Sequence, residues 1–166
     1  MPDNGLVVRQ AATPGDVQKA RELFLEYSSW LKVDLCFQGF DQELAALPGK
    51  YAPPQGRLLL ASVEGELAGC IALRPLEPGI GEVKRLYVRP AFRGRGVAKK
   101  LTEELLAAAH AIGYARLRLD TLAFMHEAAA LYRSLGFVDI APYYDNPLQG
   151  VVYMELKLSP GDSLRS

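Results

Sequence analysis

Four cations and two glycines crowd one short stretch, Arg93-Gly94-Arg95-Gly96-Val97-Ala98-Lys99-Lys100. The residues before it, 82–88, are β-prone and stop at Pro90. Those after it place Leu101, Leu105, Ala108 and Ile112 at the spacing of a helix with one buried stripe, which Gly113 closes. No Ser, Thr, Asp or Asn stands at the helix start, so the first N–H groups lack a side-chain cap. Arg93, Arg95, Lys99 and Lys100 also oppose the positive end of the helix dipole, at roughly 0.3–1 kcal/mol each. A bound anion resolves both problems. Because Gly94 and Gly96 let backbone amides come close to a ligand, the turn reads as a phosphate cradle.

The kind of phosphate is narrowed by what the turn lacks. Neither glycine is followed by Lys-Ser or Lys-Thr, which excludes a nucleotide P-loop. A dinucleotide site is the alternative, since Gly94-Arg95-Gly96 lies between a strand and a helix and Asp120 ends the next strand, where a ribose-binding acid belongs. Against it, Lys99 holds the third-glycine position and Pro90 lengthens a turn that should be tight. Cys36 and Cys70 are too few for a disulfide framework and share no metal-ligand spacing with His110 and His126, so no metal is expected. Cys70 sits in an apolar strand and reads as core. Cys36 has no histidine nearby in sequence to make it a nucleophile.

The elements that position the turn follow from pattern. At 166 residues, 49% hydrophobic and 23% charged, the chain suits one domain, with a core over about 6–158 and a polar tail at 159–166. Its formal net charge of zero predicts no attraction to nucleic acid or membrane, and neither a signal peptide nor a spanning segment is read, which implies a cytoplasmic protein. Residues 6–11 form a strand. Thr13-Pro14-Gly15-Asp16 opens a helix with Val17, Ala20, Phe24 and Tyr27 on its buried face, and Asp41 is expected to cap a short helix before Pro48-Gly49. Strands 57–63 and 67–73 turn at Glu64-Gly65, and 75–79 reverses the chain into 82–88, which makes an antiparallel meander. Residues 115–121 alternate Leu117 and Leu119 with charges. A strand-helix-strand crossover makes 82–88 and 115–121 parallel, with the ligand at their carboxyl ends. A helix to Leu135, a strand from Phe137, a turn-rich loop at 141–150 and a last antiparallel strand at 151–158 complete the chain.

Arg93-x-x-Gly96-x-Ala98 resembles the Arg/Gln-x-x-Gly-x-Gly/Ala signature of the GNAT superfamily of N-acetyltransferases, and Ala128-x-x-Leu131-Tyr132-Arg133-Ser134-Leu135-Gly136-Phe137 is similar to that family's next helix. The resemblance covers roughly residues 80–158. It implies a mixed α/β fold, a mainly antiparallel sheet with one parallel strand pair at the cofactor site and helices on both faces. It also implies transfer of an acetyl group from acetyl-CoA to a primary amine of a small molecule or peptide by direct attack, without metal. The cofactor contacts it implies are Leu86, Tyr87, Val88, Arg93, Gly94, Arg95, Gly96, Val97, Ala98 and Lys99. Glu82 would be the general base, the Leu86 amide the oxyanion donor at a strand bulge, and Tyr132 the general acid. On the residues alone, Glu82 reads equally as an exposed strand-edge carboxylate, Tyr87 and Val88 as paired strand, and Tyr132 as core. Asp34, Gln38, Glu43 and Tyr51 are candidate acceptor contacts. Met125 departs from the family's asparagine. The alternatives are a nicotinamide-dependent oxidoreductase and a coenzyme A-binding sensor without catalysis; a homodimer is left open.

Overall fold

The computed structural model describes residues 5–31 and 39–158. Seven strands form one sheet: β1 (Leu6–Gln10), β2 (Arg57–Val63), β3 (Glu66–Glu77), β4 (Ile80–Val88), β5 (Arg116–Leu122), β6 (Val138–Ile140) and β7 (Val151–Lys157). Their spatial order is β1-β2-β3-β4-β5-β7-β6, and only β4 and β5 run parallel. The helices are α1 (Pro14–Leu31), α2 (Phe40–Ala46), α3 (Val97–Ile112) and α4 (His126–Ser134).

Why β2 reads as an unbroken apolar run is clear from its surroundings. Leu58 and Leu60 face a cluster with Ala20, Leu23 and Phe24 of α1, whereas Leu59, Ala61 and Val63 face Leu101, Leu105 and Ala109 of α3. With helices on both faces, the period-2 alternation of a strand is filled with apolar residues on each side. On β5 and β7 the same alternation separates chemistry: Leu117, Leu119 and Met154 are buried with α3 and α4, while Arg116, Arg118, Asp120 and Glu155 occupy the opposite face.

The structure corrects several boundaries. Asp41 does not cap α2. Gly39, with φ 71°, precedes that helix without any side-chain cap, and Asp41 lies in its first turn. On α3 the fully buried position is Ala109, four residues after Leu105, rather than Ala108. The reversal expected over 75–79 is confined to Pro78-Gly79, because β3 continues through Pro75 to Glu77 across a register irregularity.

At the start of α1 the expected cap forms reciprocally. The Asp16 amide donates to Thr13 Oγ1 (3.0 Å), and Asp16 Oδ2 accepts from the amides of Thr13 (3.3 Å) and Ala12 (3.0 Å). Arg9 of β1 grips both carboxylate oxygens at 2.6 and 2.7 Å and holds this carboxyl well below the usual range. Asp16→Ala should therefore cost about 2 kcal/mol of stability. A depressed folded pKa means the contribution is complete above the unfolded value of about 4 and fades as pH falls toward the folded one. Urea unfolding should show the wild-type advantage shrinking between neutral pH and about pH 3; a constant gap would remove Asp16's charge from the explanation.

Candidate active site

The turn before α3 adopts the geometry its glycines allow. Gly94 and Gly96 have φ of 78° and 79°, and a Cβ added at either would meet open space, so the concave side of the turn is clear. Gly96 is the N-cap residue of α3 and supplies no side chain, leaving first-turn amides for a ligand. A cavity of about 300 Å³ opens here, lined by Gly94, Gly96, Val97, Ala98, Lys99 and the edge of β4 from Leu86 to Val88. Arg93 lines it as well, its Nε donating to the Val88 carbonyl (2.9 Å) and its guanidinium lying 4.9 Å from the Trp30 ring centroid. Arg95 is absent from this wall and stacks over Phe92 instead, at 5.8 Å.

The edge of β4 is available because two strands part. β4 and β5 pair only from Ile80↔Arg116 to Glu82↔Arg118, and beyond Glu82 that side of β4 has no ladder partner among the described residues. On its other side β4 bulges: Cys70↔Tyr87 and Ala72↔Lys84 set two steps of β3 against three of β4. Arg85, at the bulge, has φ 62°, a left-handed conformation that costs a non-glycine residue on the order of 1–3 kcal/mol. It is fixed from both sides. The Cys70 thiol donates to the Arg85 carbonyl (3.3 Å), and the Arg85 guanidinium donates to both Glu43 oxygens (2.9 and 3.0 Å) while lying over the Phe40 ring. Arg85 and Leu86 are thereby taken out of the regular ladder.

At the fork a narrow cavity of about 40 Å³ continues inward, walled by Lys84, Arg85, Leu86, Asp120, Thr121, Tyr27 and Tyr132. Leu86, Met125 and Ala128 line both spaces, so the outer cavity and the inner one adjoin at these residues. Leu86 and Tyr132, which sequence reasoning linked only through resemblance, are brought together here. Tyr132 is 5% exposed, its ring centroid is 5.5 Å from that of Phe137, and burial pushes its phenol well above the ordinary range. Burial likewise pushes Tyr27 up to about 12, so both hydroxyls keep their protons at neutral pH.

Glu82 is not the exposed strand-edge carboxylate that its position suggested. It is 2% exposed and is not part of the cavity wall. Arg74 Nε donates to Oε1 (2.9 Å), Tyr143 donates to Oε2 (2.7 Å), and Lys84 Nζ is 3.8 Å away. Asp120, which does face the cavity, accepts from the Tyr144 hydroxyl (2.7 Å) and from Asn146 Nδ2 (3.3 Å), with Lys84 Nζ at 3.5 Å. Sequence reasoning missed Lys84, Tyr143, Tyr144 and Asn146. The one available signal was a loop of turn formers carrying two adjacent tyrosines.

Of the acceptor candidates, Glu43 pairs with Arg85 but lies outside the cavity wall, in a separate hollow. Tyr51 is buried edge-on against Phe24 and lines that hollow with Gln42 and Arg74. Asp34 and Gln38 lie outside the described residues, as does Cys36. Met125 offers the shared wall a thioether, on which the Thr121 hydroxyl donates at 3.6 Å, in place of an amide. Among the described residues no group of three or more His, Cys, Asp or Glu could hold a metal ion, and no helix is long and apolar enough to cross a membrane.

Comparison with known proteins agrees with this geometry. The chain is 40% identical over 161 residues to the uncharacterized N-acetyltransferase C1271.07c of Schizosaccharomyces pombe, covering 96% of this chain and 99% of that one. Its fold matches an acetyltransferase of the GNAT family from Staphylococcus aureus with a TM-score of 0.76 at 19% identity, over 93% and 99% of the two chains. YncA of Salmonella typhimurium, solved with its cofactor acetyl-CoA, matches with a TM-score of 0.70 at 20% identity over 94% and 95%. The sequence profile of the Acetyltransferase (GNAT) family fits residues 18–137. The chain belongs to the GNAT acetyltransferase family and is an acyltransferase.

Proposed function

We propose that this protein transfers the acetyl group of acetyl-CoA to a primary amine of a small molecule or peptide, by direct attack of the amine on the thioester. The observation that carries the reading is the adjacency of two spaces that share one wall. The glycine turn at the start of α3 and the edge of β4 beyond its pairing with β5 border one space, and a strand bulge, a carboxylate and a buried phenol border the other. The residues fit the proposed cosubstrate. Gly94, Gly96, Val97 and Ala98 offer amides to a pyrophosphate, and Tyr87 and Val88 offer a free edge to an amide-containing arm.

Each chemical requirement has a residue near the fork. The Leu86 amide, released from the ladder by the bulge, is the donor for the developing oxyanion. Tyr132 hydrogen-bonds the departing thiolate. With its pKa raised by burial it acts as a donor that stabilises the thiolate before any full proton transfer. The amine must lose a proton, since at a pKa near 10.4 roughly one molecule in 2,500 is neutral at pH 7. Glu82 takes that proton by a water path, because its carboxylate is not part of the cavity wall.

Glu82→Gln should lower kcat/KM near neutral pH by about 10²-fold and recover part of the loss as pH rises and more amine is already neutral. An unchanged pH profile would leave Glu82 as a structural partner of Arg74 and point to Asp120, the carboxylate in the cavity wall, as the base. The overall reading is tested with an amine panel, following thiol release and product mass together. Acetyl-CoA, and not NAD, should raise the melting temperature, by an amount equivalent to about 2.7 kcal/mol at a hundredfold excess over Kd. Stabilisation by NAD would favour the dinucleotide alternative. Stabilisation by acetyl-CoA with no amine-dependent thiol release would favour a sensor.

A further inference from the structure

The ammonium of Lys84 borders the inner cavity and is held by two long ion pairs. Its side chain is 4% exposed, yet its nearest acceptors are Asp120 Oδ1 at 3.5 Å and Glu82 Oε2 at 3.8 Å, both beyond ordinary hydrogen-bond range. Both carboxylates already have shorter bonds from other donors: Arg74 and Tyr143 on Glu82, Tyr144 and Asn146 on Asp120. The other cation in the wall, Arg85, is held by Glu43. Lys84 thus borders the cavity with an ammonium whose two carboxylate neighbours lie at long range, and burial lowers its pKa while Asp120 and Glu82 partly offset that shift.

A buried ammonium in this condition is completed by an anionic group with acceptor oxygens. Charge narrows the kind of group. One lysine beside two carboxylates suits a singly charged, planar carboxylate better than a tetrahedral, doubly charged phosphate, which a single ammonium could not neutralise. Asp120 borders the same space and offers a carboxylate to the acceptor's own ammonium before it loses its proton. One wall therefore carries complementary charges for the two ends of a short zwitterion.

We infer that the acceptor is an amine that also bears a carboxylate, of the amino-acid class, and that Lys84 is the residue that holds the carboxylate. This rests on the acetyl-transfer reading and adds the substrate class to it. The amine lies toward Asp120 and the Leu86 amide, and the carboxylate lies on Lys84.

The test compares a panel of L-amino acids and β-alanine with their carboxamides as acceptors, following acetyl-CoA-dependent thiol release. At least one acid should exceed its amide by about 10²-fold in kcat/KM, the scale of removing one partner of a buried charge pair. In Lys84→Met, and in Lys84→Gln should the first variant not fold, the acid-to-amide ratio should fall toward one. A merely structural role for Lys84 would lower both forms and leave the ratio intact, which overturns the assignment. Equal turnover of acids and amides by the wild-type protein overturns it without any variant and indicates that only water occupies the site. If carboxylate-free amines are acetylated and acids are not, this inference fails while acetyl transfer stands. If no amine reacts although acetyl-CoA stabilises the protein, the acetyl-transfer reading fails and this inference falls with it.

Discussion

Gly96→Asp is expected to raise the dissociation constant for acetyl-CoA by about 10²-fold or more while leaving a folded protein. Two effects combine. At φ 79° any side chain adds backbone strain, on the order of 1–2 kcal/mol for a residue with a Cβ. The added carboxylate also occupies the open space in front of the first-turn amides of α3, where it repels a pyrophosphate and competes for its donors. Gly96→Ala separates the two, since it carries the strain without the charge and should lose much less affinity. Calorimetric titration, with the melting temperature of each variant as a folding control, reads both. Wild-type affinity in folded Gly96→Asp would end the cradle hypothesis.

Tyr132→Phe is expected to slow acetyl transfer by about 10²-fold with little change in stability. The ring keeps its packing on Phe137, and the hydroxyl donates to no other described residue, so no described residue loses a partner. Coenzyme affinity should hold. If the hydroxyl only positions the coenzyme, KM for acetyl-CoA should rise with little loss of maximal rate, the pattern of lost uniform binding. Product release could mask a chemical defect in steady state, so the measurement is single-turnover transfer. A variant as fast as wild type would exclude this tyrosine from the chemistry.

What the sequence made legible was local. The uncapped glycine turn before α3 could be read because glycine spacing, missing caps and misplaced cations all fall within eight consecutive residues, 93–100. The parallel pairing of β4 and β5 followed from a crossover whose length admits few alternatives. The bulge was visible only by resemblance, because arginine has no preference for positive φ. Arg85 is held there by Glu43, 42 positions away, and by a thiol 15 positions away. The charge network was illegible for the same reason. Tyr143 reaches Glu82 across 61 positions and Tyr144 reaches Asp120 across 24, pairings that depend on how the 141–150 loop lies over the sheet. Strand alternation put Asp120 on the polar face of β5, but it could not tell a polar face in solvent from one lying under tyrosines.

The claim at the centre of this account is that the acetyl group passes straight from thioester to amine at the fork of β4 and β5. The most direct measurement is a single turnover with enzyme in excess over acetyl-CoA, in the presence of an accepted amine, sampled for free coenzyme A, N-acetyl product and the intact mass of the protein. Direct attack predicts that coenzyme A and product appear with one rate constant and that the protein never gains an acetyl group. Coenzyme A released ahead of product, with a transiently acetylated protein, would contradict it.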